Sequence, residues 1–166
     1  MSYHLTGLYP KWWEGRRYDK PITAWAGGVS NETTRDIVQY ELLGSPDDPD
    51  AFGSGAIPKS KIIKTERKPG VPNAKSVALI QHVSGGNSSL HFKAYEMGVD
   101  KWQGRSVDCI WLDEEPSREL YSQAVTRTLD RKGMVYMTFT PESGMTETVA
   151  SFMNNLQPGQ SLVNAT

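Results

Sequence analysis

With one cysteine in 166 residues, Cys109, the chain can build neither an intramolecular disulfide nor a cysteine zinc cluster. No apolar run approaches the roughly 18 residues needed to cross a membrane, and the polar, aromatic start is not a signal peptide. Net charge is also missing. The 18 Lys and Arg against 19 Asp and Glu leave −1, which excludes binding nucleic acid by bulk charge but not by a local basic patch. No G-x-x-x-x-G-K-[ST] phosphate loop occurs, nor H-E-x-x-H, nor G-x-S-x-G, nor a Cys–His pair at a useful spacing. The nearest imitation of a phosphate loop, Gly98 to Ser106, is one residue too long, carries Arg105 for the lysine and leads into a strand. Gly85-Gly86-Asn87-Ser88 has no lysine. What remains, 37% hydrophobic and 10% aromatic residues, suits a single soluble domain of a reducing compartment.

The pattern along the chain alternates strand and helix. Ile22 to Gly27 reads as a strand between Pro21 and Gly28. Ser30, Asn31 and Thr33 offer N-caps for a helix that Gly44 ends, with Ile37, Val38, Leu42 and Leu43 as its apolar stripe. Ser45 to Gly55 is a loop, and Lys59 to Lys68 is locally basic. Val77 to Val83 and Leu90 to Tyr95 read as a hairpin. A Gly86-Asn87 turn sets Val83 against Leu90, with Leu79 and Phe92 on that face, and His82 across from His91 as a surface pair. Then come a strand (Val107 to Leu112), a helix (Ser117 to Lys132, with Leu120, Val125 and Leu129 inward), a strand (Met134 to Phe139) and a helix (Met145 to Leu156). That order predicts an α/β fold with a mostly parallel sheet and flanking helices. The opening residues, with Trp12 and Trp13 adjacent, read like the inside of a larger domain, or else like an arm packed back on the body.

Chemistry concentrates at two strand ends. Cys109-Ile110-Trp111-Leu112 lacks alternation, as a strand buried on both faces does, and runs straight into Asp113-Glu114-Glu115-Pro116. Carboxylates crowded at the carboxyl edge of a sheet repel one another unless a cation shares the site. Hard oxygen donors favour Mg²⁺. An apolar run followed by Asp-Glu is the Walker B pattern, in which the Asp holds nucleotide-bound Mg²⁺ and the Glu orients or activates water. An acidic helix N-terminus explains the same residues through the macrodipole. One strand later, Thr138-Phe139-Thr140-Pro141 places the hydroxyls of Thr138 and Thr140 where a γ-phosphate or its water is sensed, although Thr also simply favours strands and Pro ends them.

Several strings resemble the ATPase domain of the large terminase subunit of tailed bacteriophages: His4-Leu5-Thr6-Gly7-Leu8-Tyr9-Pro10-Lys11-Trp12-Trp13-Glu14-Gly15-Arg16-Arg17, Thr33-Thr34-Arg35-Asp36-Ile37-Val38-Gln39, Lys101-Trp102-Gln103-Gly104, Asp113-Glu114-Glu115-Pro116 and Thr138-Phe139-Thr140-Pro141. The resemblance implies a RecA-like P-loop NTPase sheet of the ASCE type, here lacking its N-terminal phosphate-loop unit and carrying a β-hairpin insertion. Residues 1–166 would be a partial ATPase domain without the family's nuclease domain. It further implies ATP and Mg²⁺ as cofactors, Asp113 as the Mg²⁺ ligand and Glu114 as catalytic carboxylate. Thr138 to Pro141 would be the motif coupling hydrolysis to DNA movement. Double-stranded DNA, a small terminase subunit, a portal protein and a homo-oligomeric ring would be partners, in host cytoplasm and away from any membrane.

The family's phosphate loop lies upstream of His4, so the isolated chain is expected to be inactive, a truncated gene or prophage remnant. A non-catalytic remnant and a Mg²⁺-dependent nuclease using Asp113, Glu114 and Glu115 are the alternative functions. Lys59, Lys61 and Lys64 are candidate DNA-phosphate contacts, and Arg35, Arg105, Arg118 and Arg127 are candidate charge-stabilising fingers.

Overall fold

A computed structural model describes residues 1–140 and 146–163. Six strands form one mixed sheet in the order β2-β3-β4-β1-β5-β6. They are β1 (Thr23–Gly28), β2 (Ile62–Arg67), β3 (Lys75–Gln81), β4 (Asn87–Ala94), β5 (Cys109–Asp113) and β6 (Met134–Thr138). β4, β1, β5 and β6 run parallel, while β2 and β3 are antiparallel additions on the β4 side. Helix α1 (Ser2–Thr6) and a longer helix cover one face. That longer helix is α2 (Asn31–Thr33), a π-helical segment (Thr34–Gln39) and α3 (Tyr40–Leu43) in continuous succession. Helix α4 (Arg118–Leu129) covers the other face behind β5 and β6, and α5 (Glu147–Asn154) follows β6.

The parallel half follows from its residues. Cys109, Ile110 and Leu112 are fully buried, the first in the core under α1–α3 and the other two in the core under α4, so the unbroken apolar run does serve two faces. Ser30 caps α2 by accepting the Thr33 amide, and Gly44 closes α3 with φ +96°. Gly27 has no room for a side chain, since a Cβ would lie 2.6 Å from the Lys93 carbonyl and 2.9 Å from the Trp102 ring.

Three expectations are corrected. Ile37 is 44% exposed, because the π-helical segment rotates the stripe so that Thr34, Val38, Gln39, Leu42 and Leu43 face inward. In α4 the inward positions are Leu120, Ala124 and Thr128, spaced by four, and Leu129 faces out. The β3–β4 register is offset from the expected one: Gln81 pairs with Asn87 and Val77 with His91, so the connecting turn spans 82–86. That offset is odd, which swaps faces. Ala78, Ile80, Leu90 and Phe92 are buried, while Val83 is half exposed and Leu79 lies on the opposite face. His82 is therefore not a surface partner of His91. It is 2% exposed, with Nδ1 2.7 Å from the Ser84 hydroxyl. Pro141 and Met145 lie outside the described residues.

Candidate nucleotide site at the carboxyl edge of β5 and β6

Parallel pairing in register brings Asp113, the last residue of β5, beside Thr138, the last residue of β6. The Thr138 hydroxyl donates to Asp113 Oδ1 at 2.9 Å and accepts from Trp111 Nε1 at 2.8 Å, a relay that fixes the carboxylate's orientation. Asp113 Oδ2 takes no hydrogen bond from any described residue and stays open. One carboxylate oxygen free, with a hydroxyl beside it, fits Mg²⁺, which keeps most of its waters and uses one or two carboxylates plus substrate phosphates.

Glu114 leaves the strand with φ +64°, a left-handed conformation that a residue with a Cβ adopts only under constraint. Its amide donates to the Thr138 carbonyl at 2.7 Å, and its side chain is exposed. The Tyr95 hydroxyl lies 2.8 Å from the Asp113 carbonyl and 2.9 Å from the Glu114 carbonyl. Burial, then Asp113 and Glu114, push the Tyr95 phenol well above its ordinary range, so it remains a donor. Tyr95 holds the strained turn from beneath, and only the sheet register could have revealed it, since its sequence position is merely the end of a strand.

The three carboxylates diverge. The Glu115 carboxylate accepts from the Thr146 hydroxyl at the cap of α5, while Glu114 points into solvent. Among the described residues no group of three or more His, Cys, Asp or Glu could hold a metal ion. The three acids therefore do not converge on one point in this structure. Thr140 is exposed two residues beyond β6.

The remaining candidates lie elsewhere. Lys59 and Lys61 belong to a 3-10 turn before β2, and Lys64 lies on the far edge strand, 3.3 Å from Glu66. Four strand spacings of about 4.8 Å separate β2 from β5, about 19 Å across the sheet, and Lys59 and Lys61, before β2, lie at the opposite strand-end edge from Asp113. Arg35 is paired with Asp36, Arg118 with Glu147, and Arg127 with the Gly104 carbonyl, while Arg105 meets His91. The Cys109 thiol is fully buried and pushed up to about 12, mainly by burial, so it packs rather than reacts.

All of residues 1–166 match the family described as terminase large subunit, T4likevirus-type, N-terminal. The chain belongs to the terminase large-subunit family. The terminase large subunit of Salmonella phage P22 is 36% identical over 183 aligned residues, covering 100% of this chain and 37% of that protein. No solved structure matches. The terminase chain thus spans little more than a third of the curated relative's length. No helix among its described residues is long and apolar enough to cross a membrane.

Proposed function

We propose that this terminase segment is the Walker B and coupling portion of a RecA-like DNA-packaging ATPase, with Asp113 and Glu114 serving ATP hydrolysis. The observation that carries the reading is the junction of β5 and β6. An aspartate with one free oxygen is held by Thr138, and the glutamate after it is forced into a left-handed turn. The strain there is the kind found where a side chain must be aimed rather than packed.

In this reading Asp113 anchors nucleotide-bound Mg²⁺, whose chemistry when bound is to neutralise charge on the transferring phosphate. Glu114 accepts a proton from, or orients, the attacking water. Thr138 keeps Asp113 pointed at the site, and Thr140 lies at the exit where the nucleotide state is sensed. Backbone N–H groups and a lysine must cradle the phosphates, and no such loop occurs in the 166 residues. Turnover therefore belongs to a longer protein that contains this segment. These 166 residues on their own are expected to bind ATP weakly or not at all. Double-stranded DNA as cargo, a small terminase subunit, a portal protein and a homo-oligomeric ring in host cytoplasm come with the packaging role.

The test is made in a full-length protein carrying this segment. Glu114→Gln lowers ATP turnover by about 10²–10⁴-fold while nucleotide affinity is kept. Asp113→Ala instead weakens Mg²⁺-nucleotide binding. Glu115→Gln changes little, because its carboxylate is engaged with Thr146. Turnover most damaged by Glu115→Gln would overturn the assignment.

A further inference from the structure

Unpaired cations gather on the sheet face opposite α1–α3, where β4 meets the turns that follow it. Lys93 Nζ sits 4.1 Å from the centroid of the Trp25 ring and 5.7 Å from that of Trp102, and donates to the Lys101 carbonyl. Two residues back along β4, His91 Nε2 lies 2.7 Å from Arg105 Nη2. Lys68, arriving from the end of β2, places its Nζ 3.4 Å from Met97 Sδ. Among the described residues none of Lys68, Lys93, Lys101 and Arg105 forms an ion pair. Of the carboxylates nearby, Glu66 pairs with Lys64 and Glu96 accepts from the Asn31 amide at 2.7 Å and its side chain at 2.6 Å, while Glu96 and Glu32 offset part of the charge at Lys68.

The crowding has an electrostatic signature. Burial, then Lys68, Lys101 and Arg105, pull the Lys93 ammonium down to about 8. Burial, Arg105 and Lys93 likewise depress His91, against a smaller opposing pull from Glu66. Mutual repulsion among cations held by packing is a standing cost that an anion offsets. Lys101 and Arg105 belong to the stretch that imitates a phosphate loop in sequence without the strand-to-helix context for one.

We propose that Lys68, His91, Lys93, Lys101 and Arg105 form a contact surface for the phosphodiester backbone of double-stranded DNA, an assignment that rests on the packaging reading above. The cations come from three separate segments spread from the end of β2 to beyond β4, two strand spacings or about 10 Å apart. Duplex DNA carries one charge per ~1.7 Å of axis, so a surface of that breadth meets several phosphates at once. A nucleotide's phosphates want a closed backbone cradle instead. Lys64, whose ammonium is shared with Glu66, is the weaker contact. The surface also abuts the hydrolytic site: the Tyr95 ring packs 5.8 Å from Trp102, and its hydroxyl supports Asp113 and Glu114.

The experiment is anisotropy of a labelled 30-base-pair duplex with the full chain, without nucleotide, over a salt series. Lys93→Gln with Arg105→Gln weakens binding about tenfold or more and lowers the slope of log affinity against log salt by about 2. Lys93→Arg with Arg105→Lys retains the slope, which separates lost charge from lost packing. Thermal melts of both pairs check folding. No duplex binding by the wild-type chain, or a slope unchanged in the neutralised pair, overturns the proposal. Displacement of duplex by low-millimolar inorganic phosphate also overturns it, by marking a free-phosphate site. The packaging ATPase reading stands or falls separately, on turnover of Glu114→Gln in the longer protein.

Discussion

The two ends of β5 carry aspartates with opposite fates. Asp108, just before the strand, is 8% exposed, and its Oδ2 accepts from the Thr23 amide and from Arg131 Nη1, each at 2.8 Å. Its backbone carbonyl accepts from the Tyr18 hydroxyl at 2.6 Å and the Met134 amide at 3.0 Å. Asp113, at the other end, is held through Oδ1 by the Thr138 hydroxyl alone, and in both residues the second carboxylate oxygen takes no hydrogen bond from a described residue. The Arg131 pair and the bonds to the Asp108 carboxylate and backbone pin β1, β5 and β6 together at the amino end. At the carboxyl end no cation among the described residues faces Asp113, which leaves its carboxylate to ligate something outside the chain. An acid in a sequence announces neither fate; what converges on it decides.

The largest effect expected on stability is at the amino end. Asp108→Asn removes the charge facing Arg131, while the amide oxygen can still accept from the Thr23 amide because both bonds fall on one oxygen. Breaking a fully buried pair costs roughly 3–5 kcal/mol, and Arg131 is 44% exposed, so about 2 kcal/mol is expected in denaturant unfolding. Asp113→Asn in the same assay should move stability by less than about 1 kcal/mol. Equal losses at the two positions would erase the contrast.

Next in size is a pH dependence seated at the amino end. His4 is 3% exposed, with Nδ1 3.0 Å from the Tyr9 hydroxyl and its ring edge-on to Tyr18 at 5.3 Å. Burial first, then the chain's amino terminus and Arg16, lower it to about 4. The unfolded imidazole takes up a proton near 6.5, so stability is full above that pH and falls as pH drops towards 4. His91 titrates with the same sign. Melts from pH 8 to pH 4 should show the decline, and His4→Gln should flatten part of it. A slope unchanged in His4→Gln would place the proton uptake elsewhere.

The sheet's two halves differ in how much of them the sequence discloses. In the parallel half the run Cys109 to Leu112 is apolar without a break, so no register error could misassign its faces, and the Asp-Glu after it had to fall at the carboxyl edge. In the antiparallel half β3 alternates, and a turn with Gly85, Gly86 and Asn87 admits several closures. Choosing the tighter one displaced every partner and sent His82 to the surface when it is buried. The π-helical segment misled in a similar way, because a 3.6-residue period cannot anticipate the turn that expels Ile37. Asp113, Glu114 and Thr138 were legible as candidates since each ends an apolar run. Tyr95 and the Trp111 relay were not, because both depend on which strands become neighbours.

A smaller loss is expected at the open end when the relay is cut. Thr138→Val keeps the shape but leaves Trp111 Nε1 and Asp113 Oδ1 without their shared partner. Both atoms can reach water, so the cost should be about 1 kcal/mol. In a full-length protein the looser Asp113 should show as weaker Mg²⁺-nucleotide binding. Unchanged nucleotide affinity would mean Thr138 does not position Asp113.

The smallest effect has the opposite sign and is the sharpest test of the contrast. Glu114 has φ +64°, a conformation that costs an L residue roughly 1–2 kcal/mol. Glycine adopts it freely but gives back about 0.4–1 kcal/mol through the larger entropy of its unfolded chain. Its exposed carboxylate accepts no hydrogen bond among the described residues, so nothing else offsets the gain. Glu114→Gly should therefore stabilise the chain by about 0.5 kcal/mol while removing the group to which we assign a role in turnover. The same exchange at Asp108 can only destabilise. Denaturant midpoints on this chain, together with turnover in the full-length protein, read both halves of the prediction. A Glu114→Gly chain less stable than wild type would mean the side chain packs rather than serves chemistry, and the open end of β5 would lose its claim to be the site.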